Sequence, residues 1–338
     1  MPFARGRAVP CCLLALLWGL PGKAQAADPG PPLVLERTIP LMGVSGRIDH
    51  MAVDVRRGRL FVAELGNGTV DAIDIATGKA VHRIDRLRDP QGVGYASASD
   101  KVAVASAGDG SVRLYRGEDF APAGIVELGD DADNVRIDAG PGQLLVGYGS
   151  GGIAVVDPAT ASVVSKAKLP GHPEGFQLDA GGRRAFVNVP DARQIAVLDL
   201  EHGRQVASWG MPGLQANFPM ALDDGHAVLA TVFRSPARLV LFDVRSGTAK
   251  QDLEACGDAD DVFFDALRHR IYVSCGQGAI DVMQQGTAGY HRLARIATAP
   301  GARTSLFVPE LDRLFVAARA GLLGLGSDAA ILVFRPRP

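Results

Sequence analysis

The 338-residue sequence contains 35 Lys and Arg against 37 Asp and Glu, which gives a formal net charge of −2 at pH 7. Nucleic-acid binding depends on clustered basic residues, so this balance argues against a nucleic-acid partner. The length suffices for one large core or for two domains, and by itself it does not define the domain organisation.

Residues 1–26 are predicted to be a signal peptide. Basic residues precede an apolar run over residues 11–20, and the small residues that follow are typical of a cleavage site after Ala26. A membrane-spanning helix needs about 20 apolar residues, so this run is too short to be one, and no later segment comes close. We therefore expect residues 27–338, with 32 basic and 37 acidic side chains, to be periplasmic or secreted without a transmembrane anchor.

One unit of sequence recurs seven times after the leader. Each copy contains a short apolar segment that ends at an equivalent anchor residue, and successive anchors lie 41 to 44 residues apart. The anchors are Asp54, Ala96, Asp138, Asp179, Asp223, Asp265 and Pro309. A fixed period over nearly the whole chain is typical of repeat architectures.

Each unit is predicted to contain four short strands. The anchor segment is strand A, and RLFVAEL, TVDAIDI and the more polar KAVHRID illustrate strands B, C and D of the first unit. Four antiparallel strands per unit predict an all-β fold, a seven-bladed β-propeller that occupies residues 27–338 as a single domain. The seventh unit lacks a fourth strand, and we expect the run Leu33 to Ile39 near the other end of the chain to close that last blade.

The repeated text resembles that of a known family. FVAELGNGTVDAIDIATGKAV, at residues 61–81, and its later versions IAVVDPATASVV and IAVLDLEHGRQV closely resemble the repeat of the YVTN, or YncE-like, bacterial β-propellers. The resemblance covers essentially the whole mature chain and implies a propeller scaffold. That family spans unrelated roles, so the resemblance implies no single activity.

Cys256 and Cys275 are the cysteines that remain after the predicted cleavage. In an exported protein such a pair is normally a disulfide, and its wide spacing fits no metal knuckle. We predict a structural bridge, with a redox or metal role as the alternative. The bridge would fix the loop that contains Asp260 and Asp261.

Polar residues collect at one face of the predicted ring, which we call the top face. It is the face where each strand A begins and each strand B ends, so its loops surround the mouth of the central channel. The candidate ligand-binding residues there are Asp49, His50, Gln91, Asp133, Asn134, His172, Glu174, Asn188, Asn217, Arg234, Asp260, Asp261, Arg303 and Arg319. The turns of the opposite face contain ordinary Asp, Gly and Arg and suggest no site.

Two interpretations of these residues stay open. Polar side chains at such positions can simply cap backbone groups or line a wet channel. Alternatively, converging carboxylates need a cation, a proton or a basic ligand to offset their repulsion. A divalent cation, calcium or zinc, is the one cofactor this suggests, because oxygen ligands suit calcium and an added His50 or His172 suits zinc. The candidate metal ligands are Asp49, Asp133, Glu174 and Asp260.

Arginines on the same face suggest a different ligand. Arg234, Arg303 and Arg319 come from neighbouring blades five to seven and could clamp a carboxylate or phosphate of a small molecule. The ring would then be divided by charge, acidic on one arc and basic on the other.

The leading hypothesis is an exported YncE-like propeller that acts without chemistry as a binding or scaffold protein. Its partner would be a small molecule or a periplasmic protein on the top face, and we expect a monomer. The alternative is a metal-dependent lactonase- or lyase-type enzyme in which His50 or Asp260 is the general base. No HExxH, GxSxG or P-loop motif in the sequence points to another enzyme class.

Overall fold

The computed structural model describes residues 3, 6, 30–138, 140–321 and 328–338, and the predicted leader falls almost entirely outside them. Within these ranges the chain forms seven four-stranded antiparallel sheets, and each sheet is one blade of a seven-bladed β-propeller, as predicted. Residues Pro31–Pro338 form one compact unit. In this described part of the chain, no helix is long and apolar enough to cross a membrane.

The strands follow the order of the sequence repeats. The first, β1 (Leu33–Pro40), belongs to blade seven. Blade one contains β2 (Met51–Asp54), β3 (Arg59–Glu64), β4 (Thr69–Asp74) and β5 (Lys79–Ile84), and blade two contains β6 (Pro90–Ala96), β7 (Lys101–Ser106), β8 (Ser111–Arg116) and β9 (Pro122–Glu127). Blade three contains β10 (Val135–Ile137), β11 (Leu144–Tyr148), β12 (Gly152–Asp157) and β13 (Ser162–Lys168), and blade four contains β14 (Phe176–Leu178), β15 (Arg184–Val189), β16 (Gln194–Asp199) and β17 (Arg204–Gly210).

The remaining blades repeat this pattern. Blade five contains β18 (Gln215–Asp223), β19 (Val228–Ser235), β20 (Ala237–Asp243) and β21 (Ala249–Glu254), and blade six contains β22 (Ala259–Asp265), β23 (Arg270–Cys275), β24 (Ala279–Gly286) and β25 (Gly289–Ala297). Blade seven contains β26 (Ser305–Val308), β27 (Arg313–Ala318) and β28 (Ala330–Pro336) together with β1. Short 3₁₀ turns occur at Leu65–Asn67, Pro190–Ala192 and Pro309–Leu311.

Strand β1 closes the ring. It pairs antiparallel with β28, from Leu33 opposite Pro336 to Pro40 opposite Ala330, and takes the outermost place in that sheet. The last blade therefore has four strands, as the sequence predicts.

The hydrophobic core lies between neighbouring blades. At the closure, Leu60 and Val62 of blade one pack in a single cluster with Phe315 and Ile331 of blade seven, and all four are fully buried. Each such side chain contributes about 1.5–3 kcal/mol when buried. The middle strands of a blade are covered on both sides, so their sequences are continuously apolar, whereas the outer strand β17 alternates half-buried and exposed residues.

Arginines also join neighbouring blades on the face opposite the mouth. Arg57, in the turn after β2, donates two hydrogen bonds of 2.8 and 2.9 Å to the carboxylate of Asp100 in blade two. Arg268, in the equivalent turn of blade six, donates 2.8 and 2.9 Å hydrogen bonds to Asp312 of blade seven and one of 3.0 Å to Asp265. These turns therefore lock blades together, a role that the sequence analysis did not assign to them.

The predicted disulfide is present. Cys256 precedes β22 and Cys275 ends β23, both are buried, and their Cα atoms lie 5.8 Å apart. The bridge fixes the loop by which blade six enters the top face.

Candidate functional site

The loops that lead into the innermost strands surround a small cavity at the top of the channel, the mouth cavity. Its volume is about 30 Å³. The structure brings seven of the fourteen candidate residues to its wall. They are Asp49, His50, Asp133, Asn134, Glu174, Asp260 and Asp261.

Asp133 lies between two histidines. Its Oδ2 is 4.0 Å from Nε2 of His172, and its Oδ1 is 3.8 Å from Nε2 of His50. Nδ1 of His172 donates a 2.7 Å hydrogen bond to the carbonyl oxygen of Gly149. Asp133 is the main reason that the pKa of His172 is raised to about 9, and the Gly149 carbonyl adds to the rise. Although burial alone would raise the pKa of Asp133, its histidine neighbours lower it, so this carboxylate is ionised at neutral pH.

Asp49 and Glu174 hold their negative charge less firmly. Burial raises the pKa of Asp49 to about 6, even though Nη2 of Arg47 lies 2.7 Å from its Oδ2. Burial also raises the pKa of Glu174 to about 7, and repulsion from Asp133 adds to this rise. Protons therefore neutralise part of the negative charge of the mouth near neutral pH.

His50, Arg136 and Asp261 form a neck below the mouth, because they line both the mouth cavity and the channel beneath it. The carboxylate of Asp261 accepts a 2.6 Å hydrogen bond from the backbone N–H of Ser305, and burial raises its pKa to about 7. Arg136 donates to the carbonyl of Phe176 and lies 5.5 Å from the centre of that ring, and its own burial lowers its pKa.

The channel below the neck is a larger cavity of different character. Its volume is about 280 Å³, and its walls are mostly apolar side chains such as Val93, Val135 and Leu306. Its charged wall residues are those of the neck, His50, Arg136 and Asp261.

Arg234 and Arg303 hold Asp260 between them. Arg234 donates to Oδ1 of Asp260, and Nε of Arg303 lies 3.0 Å from its Oδ2. Arg234 also lies 3.8 Å from the ring centre of Phe218, and Arg303 donates a 2.8 Å hydrogen bond to Asp258. Basic and acidic side chains thus alternate around Asp260.

A second cavity, which we call the arginine cavity, lies beside the mouth. It has a volume of about 90 Å³, and its charged wall residues are Arg47, Arg303, Arg319 and Asp258. Arg47 lines the mouth cavity as well, so the two cavities meet at this side chain. Arg319 is exposed and lies across Gly301, where an added Cβ would come within 2.4 Å of its Nε.

Five of the candidate residues line neither cavity, namely Gln91, His172, Asn188, Asn217 and Arg234. His172 and Arg234 instead contact the wall residues Asp133 and Asp260. Asn188 donates a 3.0 Å hydrogen bond to the carbonyl of Phe218, and Asn217 donates one of 2.9 Å to the side-chain oxygen of Asn188. The carbonyl of Gln91 accepts a hydrogen bond from the backbone N–H of His50. Asn217 also donates a 2.9 Å hydrogen bond to the carbonyl of Gln194, so the two asparagines have the backbone-capping role that the sequence left open, whereas Gln91 contributes only its own backbone carbonyl.

The geometry gives no support to a metal site. Among the residues that the structure describes, no group of three or more His, Cys, Asp or Glu side chains is arranged to hold a metal ion. Asp49 contacts an arginine, Asp260 contacts two, and Asp133 lies between histidines. The metal-dependent enzyme therefore stays a prediction.

Arg47 and Arg136 line the mouth cavity but were not among the predicted site residues. Arg136 stands two residues before its anchor, a position that other blades fill with small or neutral side chains such as Ala52 and Gly94, which also line the channel. A charged residue at this channel-facing position of the repeat could have identified Arg136 as a site residue. Arg47 was signalled by its place two residues before Asp49, within reach of that carboxylate.

The sequence matches no protein-family model, and it matches no curated protein. Solved structures of similar shape include a chain of Kuenenia stuttgartiensis hydrazine synthase, which is 13% identical with a TM-score of 0.72 and is matched over 87% of this chain and 98% of its own. A chain of a mitotic checkpoint complex is 14% identical with a TM-score of 0.77, over 98% of this chain and all of its own. These likenesses show the seven-bladed β-propeller fold alone.

Proposed function

We propose that the protein is an exported, YncE-like β-propeller that binds a small polar ligand at its channel mouth and performs no chemistry there. A propeller commonly serves as a binding or scaffold architecture, and its ligands sit where loops of several blades converge. The mouth cavity and the arginine cavity are small, so the fitting partner is a small molecule with few polar groups.

Two buried acceptor atoms are the main support for this proposal. Oδ1 of Asp133 and Oδ1 of Asn134 accept no hydrogen bond from any described residue. Asp133 is 6% exposed and Asn134 is 2% exposed, and both line the mouth cavity. A buried acceptor without a donor costs about 1–3 kcal/mol, so a ligand that donates hydrogen bonds here would recover that free energy.

The absence of chemistry is supported by how the ionisable groups are paired. Asp260, the carboxylate considered as a general base, is held between Arg234 and Arg303. Both of its oxygens therefore contact arginines instead of a substrate proton. The carboxylates around His50 raise its pKa despite its burial, which favours the protonated ring over the neutral ring that a general base requires.

Export is supported by the leader pattern of residues 1–26 and by the disulfide, which is typical of oxidising compartments. Its test is the intact mass of the protein after expression in a Gram-negative host. We expect the mass of residues 27–338 in the periplasmic fraction. A cytoplasmic protein that retains its leader would contradict export.

Ligand binding is tested by thermal melting of the purified full chain with five probes, namely methylamine, acetate, glycine, inorganic phosphate and glucose. We expect at least one probe to raise the melting temperature of the wild type and to lose this effect in Asp133→Asn. Asp199→Asn is the matched control, since Asp199 ends β16 on the opposite face. If no probe shifts the wild type, or if Asp133→Asn responds as the wild type does, the mouth is not a ligand site and the scaffold role remains.

A further inference from the structure

The mouth and the arginine cavity offer complementary chemistry to one ligand. The mouth cavity contains buried hydrogen-bond acceptors, and the arginine cavity contains positively charged hydrogen-bond donors. Arg47 belongs to both walls, so the two cavities adjoin at a single side chain.

The acceptor side fits a primary ammonium group. Asp133 and Asn134 each present a side-chain oxygen without a donor, and Glu174 lines the same cavity. An ammonium has three N–H donors, one for each of these side chains, and carries the charge that converging carboxylates require. A volume of about 30 Å³ admits a group of this size and little more.

The donor side fits a carboxylate. Three arginines line the arginine cavity against one carboxylate, that of Asp258, so positive charge is in excess there. Arg319 forms no ion pair with a described residue, and Arg47 uses one nitrogen for Asp49 and retains further N–H groups. The planar guanidinium fork matches a carboxylate with two parallel hydrogen bonds.

From these two observations we propose that the ligand is a free amino acid bound as a zwitterion, with its ammonium against Asp133 and Asn134 and its carboxylate against Arg319 and Arg47. This inference rests on the proposed function, because it assigns a ligand class to the same mouth.

The test is isothermal titration calorimetry of the full chain with glycine, methylamine and acetate. Glycine contains both groups, and each of the other probes contains one. We expect glycine to bind at least about tenfold more tightly than either half, a difference of about 1.4 kcal/mol. The chelate effect of joining the halves is the reason for this expectation.

Two variants separate the two ends of the ligand. Asp133→Asn is expected to weaken glycine and methylamine by about tenfold or more and to leave acetate unchanged, whereas Arg319→Gln is expected to weaken glycine and acetate and to leave methylamine unchanged. Arg335→Gln is the matched control, because Arg335 is an exposed arginine of β28 outside both cavities. Because Arg319 is exposed, we expect Arg319→Gln to fold normally. The melting temperature of each variant checks that a loss of binding is not a loss of folding.

The outcomes distinguish the inference from the proposed function. If methylamine or acetate binds as tightly as glycine, or if Arg319→Gln leaves glycine affinity intact, the zwitterion is wrong and the mouth remains a site for a simpler ligand. If phosphate or glucose shows Asp133-dependent binding while glycine shows none, the zwitterion inference is wrong but the proposed function stands. If no probe binds, the zwitterion inference and the proposed ligand site are both wrong.

Discussion

The pairing of Asp133 with His172 predicts a pH dependence of stability that Asp133→Asn should remove. His172 has its pKa raised to about 9 from an ordinary value of 6.5, chiefly by Asp133. Folding therefore favours the protonated ring. The stabilisation is fully present below pH 6.5 and is lost as the pH rises through about 9.

The magnitude follows from the size of the pKa change. Each pH unit between the folded and unfolded pKa corresponds to about 1.4 kcal/mol, so a rise from 6.5 to about 9 corresponds to about 3 kcal/mol. The side chain of His172 is 20% exposed, so water screens the interaction only in part. In Asp133→Asn the pH-dependent loss of stability should be well below half of the wild-type value, because the largest favourable contact is gone and only the weaker effects of the Gly149 carbonyl, Asp131 and Glu174 still favour the charged ring.

Urea unfolding at a series of pH values measures this loss, with Trp209 fluorescence as the signal because Trp209 packs between Phe186 and Phe242. A histidine NMR titration measures the pKa of His172 directly. Asp131→Asn is the control, since the Asp131 carboxylate is 42% exposed and its removal should change the curve little. An ordinary pKa for His172 in the wild type, or one unchanged by Asp133→Asn, would refute the reasoning.

Three further predictions concern other parts of the molecule. Arg268→Gln should lower the free energy of unfolding in urea titrations by about 3 kcal/mol, because it removes a cation that is 11% exposed from between the carboxylates of Asp265 and Asp312. The control Arg116→Gln should have little effect, since Arg116 is exposed, and equal effects of the two changes would contradict the role of Arg268 in joining blades. Replacing Cys256 and Cys275 by Ala opens a link between residues 19 apart and should cost about 3 kcal/mol by the same measurement, and an unchanged stability would show that the bridge is dispensable. Glycine affinity should increase as the pH rises through about 7, because Glu174 ionises there, and Glu174→Gln should flatten this profile; a flat wild-type profile in calorimetry would exclude Glu174 as a contact.

The fold could be predicted because its information is local and repeated. Each strand needs only its own pattern of apolar residues, and seven copies of that pattern remove most ambiguity. Even the closure by Leu33–Pro40 was predictable, since one blade lacked a strand and one strand lacked a blade.

The positions of the mouth residues were also predictable, but their partners were not. Equivalent positions of a propeller repeat lie at equivalent heights, so Asp49, Asp133 and Asp260 had to meet at one mouth. Which cation each one contacts depends on reach between blades: Arg234 of blade five extends to Asp260 of blade six. Such contacts join residues far apart in sequence, and no local pattern encodes them.

The closure of the ring also determines the order in which the molecule can assemble. The β1–β28 pairing joins residues about 300 positions apart, and chain entropy makes that contact the most costly to form. Blades one to six can each fold against the blade that precedes them in sequence. We expect blade seven to form last, because it needs strands from both ends of the ring. Blade seven also brings both ends of the ring into one sheet, and the backbone N–H of Arg337 donates a 2.8 Å hydrogen bond to the carbonyl of Pro32. A circular permutant that joins these ends and opens at an exposed hairpin would therefore keep every blade intact.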